Sequence, residues 1–413
     1  MKNKFITLWL APFLMIQTLD TTANESIELQ TDVEHDFKIM LQNLKDNYAY
    51  ADQRSINWTC LKNNYTTKIN TLQSRSDMVL FFEYFLLEFT DSHMIMNTNI
   101  QESYRLNSPI KLTKKNNTYV IDDYWQSQLV SADQIYIGAE LLSINGKSPN
   151  EVIQSFPTLC LDKSQTNSQQ WIINKSLAGK YSEPRIIELS LGQKKSTIDL
   201  DQLAYRPTES ALNIEEIDQF GLIKINNSLG QTKLIKEFDH ALDQLKGTQG
   251  LVLDLRNTIS GGDSYIAKGI ISRLINTDQA YQKHRYEEHR DGGPKITRFW
   301  TEYVAPRGIT YNKPMVVLVN HWTGSMGEGL AIGLHGMQRG QVIGSQMAGL
   351  LGAVYSFKLD RTGIGYQIPA EQLFHVDGTP REQFMPDEII KPINTEDDAV
   401  LRRAIKWLSK KIQ

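Results

Sequence analysis

Along the chain, apolar positions change their spacing twice. From about Ser26 to Glu88 they recur at helical intervals (Phe37, Met40, Leu41, Leu44 and Tyr48, then Met78, Phe81, Phe82, Phe85 and Leu86). This predicts a small helical region that ends at Thr90-Asp91-Ser92-His93, with a strand entering at Met94 to Met96. Between about Tyr104 and Leu200 the runs shorten into strand-like pieces at Ile110 to Leu112, Tyr119 to Ile121, Glu140 to Ile144, Ile186 to Leu191 and Ser196 to Leu200. Asn145-Gly146 after the third of these is a tight-turn dipeptide, and Asn150 to Phe156 can supply a helix. From Phe220 onward strands and helices alternate: strands at Leu222 to Ile225, Leu251 to Leu255, Met315 to Val319 and Val342 to Ile343, helices at Thr232 to Leu245, Ser264 to Leu274 and Ser325 to Leu334. Continuous apolar strands between amphipathic helices predict α/β architecture with a largely parallel sheet covered on both faces. Thr277 to Lys313 breaks this rhythm with charged and aromatic residues and reads as a long excursion or lid-like insertion.

Length and composition narrow the picture. At 413 residues the chain exceeds one ordinary core, which favours two or three domains. A net charge of −3 leaves no polybasic face for nucleic acid or anionic lipid. The first residues stand apart, with Lys2 and Lys4 preceding a mostly apolar Phe5 to Leu19 and the small residues Thr21-Thr22-Ala23. That pattern predicts a cleaved signal peptide over 1–23, a mature chain beginning near Asn24, no membrane association after cleavage, and a secreted or periplasmic location. Cys60 and Cys160 are the two cysteines; export permits them to pair, and two separate buried thiols fit the sequence equally.

Two segments carry candidate chemistry. In "VVLVNHWTGSMGEGLAIGL" (316–334) an apolar strand runs through small residues into a helix that opens at Ser325. Its hydroxyl is uncrowded there, and the helix N-terminus favours developing negative charge, although serine is also an ordinary helix cap. In "LVLDLRNTISGGDS" (251–264) a second apolar strand meets Gly261-Gly262, which lets backbone N–H groups approach a ligand closely. No G-x-x-x-x-G-K-[ST] or G-x-G-x-x-G string of a nucleotide-phosphate loop follows a strand here.

Taken in order, "LLEFTDSHM", "FGLIKINN", "LDLRNTISGG", "VNHWTGSMGEGLA" and "DGTPREQFMPD" resemble the tail-specific, or C-terminal processing, serine peptidases. The resemblance implies a crotonase-like α/β core (206–413), a helical N-terminal region (24–100) and, over 101–205, a PDZ-like β-rich module suggested by "GAELLSINGKSP". It further implies Ser325 as nucleophile and an oxyanion site formed by the N–H groups of Gly261 or Gly262 and of Met326. The "DLRN…GG" turn is one residue longer than the commonest form, which leaves the two glycines as alternatives. One branch of the family uses a lysine base, but 347–357 contains none, and Lys358 follows a full strand. The other branch, resembling the tricorn core, uses a Ser-His pair and a late glutamate. On that pattern His93 is the base, and Ser92 relays a hydrogen bond from its imidazole to Glu382, with Glu371 as a competitor; among the remaining histidines, His321 stands out by its closeness to Ser325 in sequence. The implied reaction is peptide hydrolysis through an acyl-serine, acting on peptides or unfolded proteins without metal or organic cofactor. A noncatalytic binding protein on the same fold is the alternative, and an exported acyl-CoA enzyme fits the pattern less well.

Overall fold

A computed structural model describes residues 14–289, 293–391 and 397–412, with side chains from Ser26 onward. Of the expected signal peptide, residues 1–13 lie outside the described residues, and 14–23 are described only as helical backbone. Three helices open the chain: α1 (Leu14–Asn47), α2 (Trp58–Ile69) and α3 (Arg75–Leu87), followed by the short β1 (Ile95–Met96). Their starts follow local chemistry, since the side chains of Asn57 and Ser74 accept backbone N–H groups of the first turns of α2 and α3. Phe37, Tyr65, Phe81 and Phe85 interlock edge-to-face between the three helices, which fixes their mutual packing. Among the described residues no helix is long and apolar enough to cross a membrane.

The middle segment contains β2 (Ile110–Lys115), β3 (Thr118–Tyr124), β4 (Glu140–Ile144), α4 (Pro149–Ser155), α5 (Thr166–Ala178), β5 (Ile186–Leu191) and β6 (Lys194–Asp199). The strands form one antiparallel sheet in the order β2-β3-β4-β5-β6. A capping box between Ser148 and Glu151 starts α4, with Pro149 at its first position. The polar helix α5 escapes the apolar-spacing reading because its sequence, "TNSQQWIINKSLA", buries little more than Ile172, Ile173, Leu177 and Ala178. Cys60 and Cys160 are disulfide-bonded, so α2 is stapled to the segment after α4. Closing a loop of 100 residues stabilises by about 4–5 kcal/mol in the chain-entropy description.

The remaining elements are β7 (Leu212–Ile217), β8 (Phe220–Ile225), α6 (Lys233–Gln244), β9 (Gly250–Asp254), α7 (Ser264–Ile271), β10 (Gln279–Glu288), β11 (Ile296–Val304), β12 (Met315–Val319), α8 (Met326–Gly336), β13 (Gln341–Gly344), β14 (Ala353–Lys358), β15 (Gly365–Phe374), β16 (Glu388–Ile389) and α9 (Ala399–Lys411). A six-stranded sheet runs β16-β13-β12-β9-β8-β7, parallel except for the last pair. Its central strands β9 and β12 are buried at every position, as two covered faces require. Helices α6, α7 and α8 share one core with this sheet, and α9 packs on the opposite face against Val252, Val316 and Leu318.

The expected lid-like excursion is regular structure instead. Residues 279–288 and 296–304 pair antiparallel as β10 and β11, and β10 pairs with β15 in a third, antiparallel sheet that also holds β1 and β14. The charged and aromatic composition that disguised it is that of an edge strand, because among the described residues β11 pairs with β10 alone.

Candidate active site

Strands β9 and β12 lie side by side in parallel and deliver their following turns to the same place. A bridge between Thr258 and Thr323 joins the turns, and the Thr258 carbonyl accepts the N–H groups of both Gly261 and Gly324. Contact is so close that only glycine fits. A Cβ on Gly261, whose φ is +65°, would stand 2.4 Å from the Cβ of Ser325, and one on Gly324 would stand 2.6 Å from the Ile259 carbonyl oxygen.

Ser325 itself has φ +50° and ψ −110°, an unfavourable backbone conformation for a residue with a side chain. Glu328 holds it there. This carboxylate, fully buried one turn into α8, accepts the Ser325 N–H at 2.8 Å and the N–H groups of Gly349 and Leu350 at 2.8 and 3.2 Å. Burial pushes Glu328 up to about 7, against the downward pull of Arg381 and of the three N–H donors.

His93 arrives from the turn after α3. Its N–H donates to Asp91 Oδ1 at 2.9 Å, and Asp91 in turn accepts the Tyr48 hydroxyl at 3.0 Å. The imidazole is 4% exposed, with Nε2 3.1 Å from Ser325 Oγ and Nδ1 2.6 Å from the carbonyl oxygen of Leu351. A carbonyl only accepts, so Nδ1 carries the proton and Nε2 presents its lone pair to the serine hydroxyl. Burial, assisted by the positive charge of Arg381, pulls His93 down to about 4. The ring is therefore neutral at ordinary pH.

Leu351 is fixed by its neighbours. Arg381, 2% exposed, donates to the carbonyls of Leu350 at 2.9 Å and Gly352 at 2.7 Å, while Glu328 takes the N–H groups just upstream. A carboxylate from α8 and a guanidinium from the "GTPRE" segment thus clamp one short loop, which aims its middle carbonyl at His93. Sequence reading missed both Glu328 and Arg381. The legible signals were an acid three residues into a helix behind a serine cap and a lone arginine beside the glutamate it did select.

The structure brings Ser325, His93, Gly261 and Met326 together, but it does not bring Ser92 or Glu382 to the imidazole. The Ser92 hydroxyl accepts the Trp171 indole N–H from α5 at 3.1 Å. Glu382 lies beside Arg381 with one buried carboxyl oxygen lacking a protein partner, and burial raises its pKa. The expected relay is replaced because the Leu351 carbonyl already occupies Nδ1. Glu371 contacts His284 and accepts the Tyr355 hydroxyl at 2.9 Å. Lys358 is exposed at the end of β14. His321 packs edge-on against Trp322, and burial lowers its pKa to about 3. The Gly261 N–H is committed to Thr258; among the described residues those of Gly262 and Met326 have no protein acceptor. A cavity of about 390 Å³ opens beside this turn, walled by Ile259, Trp322 and Leu350 on one side and by Leu112 and Trp171 on the other. Among the described residues no cluster of three or more His, Cys, Asp or Glu side chains is placed to hold a metal ion.

Parts of the chain are similar to known peptidases. Residues 219–390 match the sequence profile of peptidase family S41, and residues 29–86 match that of the tricorn protease C1 domain. A carboxyl-terminal-processing protease of Synechocystis sp. is 31% identical over 166 residues, which are 38% of this chain and 35% of the relative. The matched stretch thus spans about a third of that relative's length. Among solved structures, mature CPAF aligns with a TM-score of 0.61 at 14% identity, covering 93% of this chain and 96% of that one. The photosystem II D1 C-terminal processing protease aligns with a TM-score of 0.56 at 15% identity, covering 90% and 96%. At such identities these two show a shared mixed α/β fold.

Proposed function

From the premise that the chain belongs to peptidase family S41, by its match over 219–390, we propose that it is a serine peptidase of the Ser-His type that hydrolyses peptide bonds. The observation that carries the proposal is the 3.1 Å approach of His93 Nε2 to Ser325 Oγ, with the opposite ring nitrogen held by a carbonyl. His93 takes the hydroxyl proton as Oγ attacks the substrate carbonyl. The developing oxyanion is received by the N–H groups of Met326 and Gly262, since that of Gly261 is already engaged. His93 then returns its proton to the leaving amine, and a water molecule, deprotonated by the same nitrogen, releases the acyl group from Ser325.

The core over 206–413 is read as crotonase-like and the segment over 101–205 as PDZ-like, in keeping with the six-stranded β16-to-β7 sheet and the five-stranded antiparallel sheet with its two helices. Substrates are peptides or unfolded proteins, reached after export to a secreted or periplasmic location. A serine-directed fluorophosphonate should label the wild-type protein once, at Ser325. Ser325→Ala should abolish labelling and reduce kcat/KM on the order of 10⁴-fold or more, with Tm close to wild type. A folded Ser325→Ala protein that retains turnover would overturn the proposal.

A further inference from the structure

Among the described residues strand β11 pairs with β10 alone; it is exposed from Ile296 to Phe299 and at Tyr303, partly exposed from Trp300 to Glu302, and buried at Val304. Large apolar side chains stand out along it, with Ile296 59% exposed, Phe299 70% and Tyr303 64%; it contains no proline, and its charges are Arg298 and Glu302. Its sequence, "ITRFWTEYV", is self-complementary when laid antiparallel on itself about Trp300. Ile296 then faces Val304, Thr297 faces Tyr303, Arg298 faces Glu302, Phe299 faces Thr301, and Trp300 faces its own copy. These are the pairings that stabilise antiparallel ladders: aliphatic with aliphatic, aromatic with β-branched, cation with anion, and aromatic with aromatic.

Register makes this specific. Moving the axis one residue toward either end sets Arg298 against Trp300 or Val304, and Glu302 against Ile296 or Trp300. The Trp300-centred register is thus the one of the three that joins the two charges. Arg298 is free to reach across, and Glu302 would take it as a further cation. Arg298 is largely exposed, with Glu288 at 3.8 Å, and Glu302, anchored by Lys268 at 2.6 Å and lying 3.4 Å from His284, keeps part of its surface open. We infer that β11 is the contact of a two-fold homodimer in which a second copy of this chain adds its own β11 antiparallel, centred on Trp300, to make one continuous sheet. Such a contact is isologous and closes on itself, so it removes both free edges.

Sedimentation velocity of the full chain between about 1 and 100 µM tests the inference, because the edge-strand contact predicts a concentration-dependent dimer. Arg298→Glu places a glutamate against Glu302 twice and should weaken the dimer at least about tenfold. Register is read by crosslinking. The two native cysteines are joined to each other, so an introduced one is the single free thiol. Under mild oxidation Trp300→Cys should give a disulfide-linked dimer, because opposed residues sit about 4.5–5.5 Å apart. Phe299→Cys alone should not, since its copy is displaced by two residues, whereas Phe299→Cys with Thr301→Cys should. A wild-type chain that remains monomeric at the highest concentration would overturn the inference. So would a dimer indifferent to Arg298→Glu in which Trp300→Cys crosslinks no better than Phe299→Cys.

Discussion

Two buried histidines of this chain, His93 and His284, meet opposite surroundings. His93 gives its Nδ1 proton to a neutral backbone carbonyl and has the guanidinium of Arg381 nearby, so burial prevails and the ring stays neutral. His284 is buried as well, but Glu371 bonds its Nδ1 and Glu302 lies 3.4 Å from its Nε2, and these carboxylates raise its pKa in spite of burial. It also stacks on Trp300, with ring centroids 4.6 Å apart. One imidazole is prepared to accept a proton and the other to keep one. Burial alone therefore does not define a base; what decides is whether the group opposite the reactive nitrogen is a neutral acceptor or an anion.

The largest effect expected from breaking this contrast comes from exchanging each imidazole for an amide of similar reach. His93→Gln should lower kcat/KM about 100- to 10,000-fold and leave Tm nearly unchanged. His284→Gln should keep activity within about threefold while destabilising the fold by about 3 kcal/mol, because the buried Glu371 loses its cation while Glu302 keeps Lys268. Steady-state kinetics and thermal melts on the same preparations check both. If His284→Gln were inactive but stable, and His93→Gln active, the two roles would be reversed.

A smaller effect concerns Glu328, which couples the serine to the loop that aims His93. Protonation of a raised-pKa carboxyl removes its charge below about 7, which weakens its hold on Ser325, Gly349 and Leu350. Wild-type kcat/KM should accordingly rise with pH through about 7. His93 becomes limiting only as pH falls towards its own value of about 4. Glu328→Gln, uncharged at every pH, should reduce kcat/KM roughly tenfold and abolish the upper step, leaving the lower one exposed. Persistence of the step near 7 in that variant would assign it to another group.

The smallest changes are expected at the residues the structure leaves away from the imidazole. Ser92→Ala and Glu382→Gln should each stay within about threefold of wild-type kcat/KM, because Nδ1 is held by Leu351 and not by a serine-carboxylate relay. A loss of a hundredfold in either would restore the relay.

Much of the fold could be read from spacing, and the reasons differ by element. The central strands β9 and β12 are continuous apolar runs, so burial on both faces is written directly into them. The pairs that announce Ser325 and His93 lie in short distinctive strings at the ends of such elements. The antiparallel pair β10-β11 was hidden because its edge strand mixes charge and aromatics without clean alternation. The orienting group of His93 was hidden for a deeper reason. It is a backbone carbonyl, which every residue possesses, and its position depends on Glu328 and Arg381 meeting across a loop from distant parts of the chain.

The central claim, a neutral His93 whose Nδ1 proton is held by Leu351, is open to direct observation by ¹⁵N NMR of histidine-labelled protein, assigned by loss of the signal in His93→Gln. Titrated downward from pH 8, the His93 ring should show the Nδ1–H tautomer and remain neutral until the pH approaches about 4. An Nε2–H tautomer, or a midpoint at or above the ordinary histidine value near 6.5, would contradict the account.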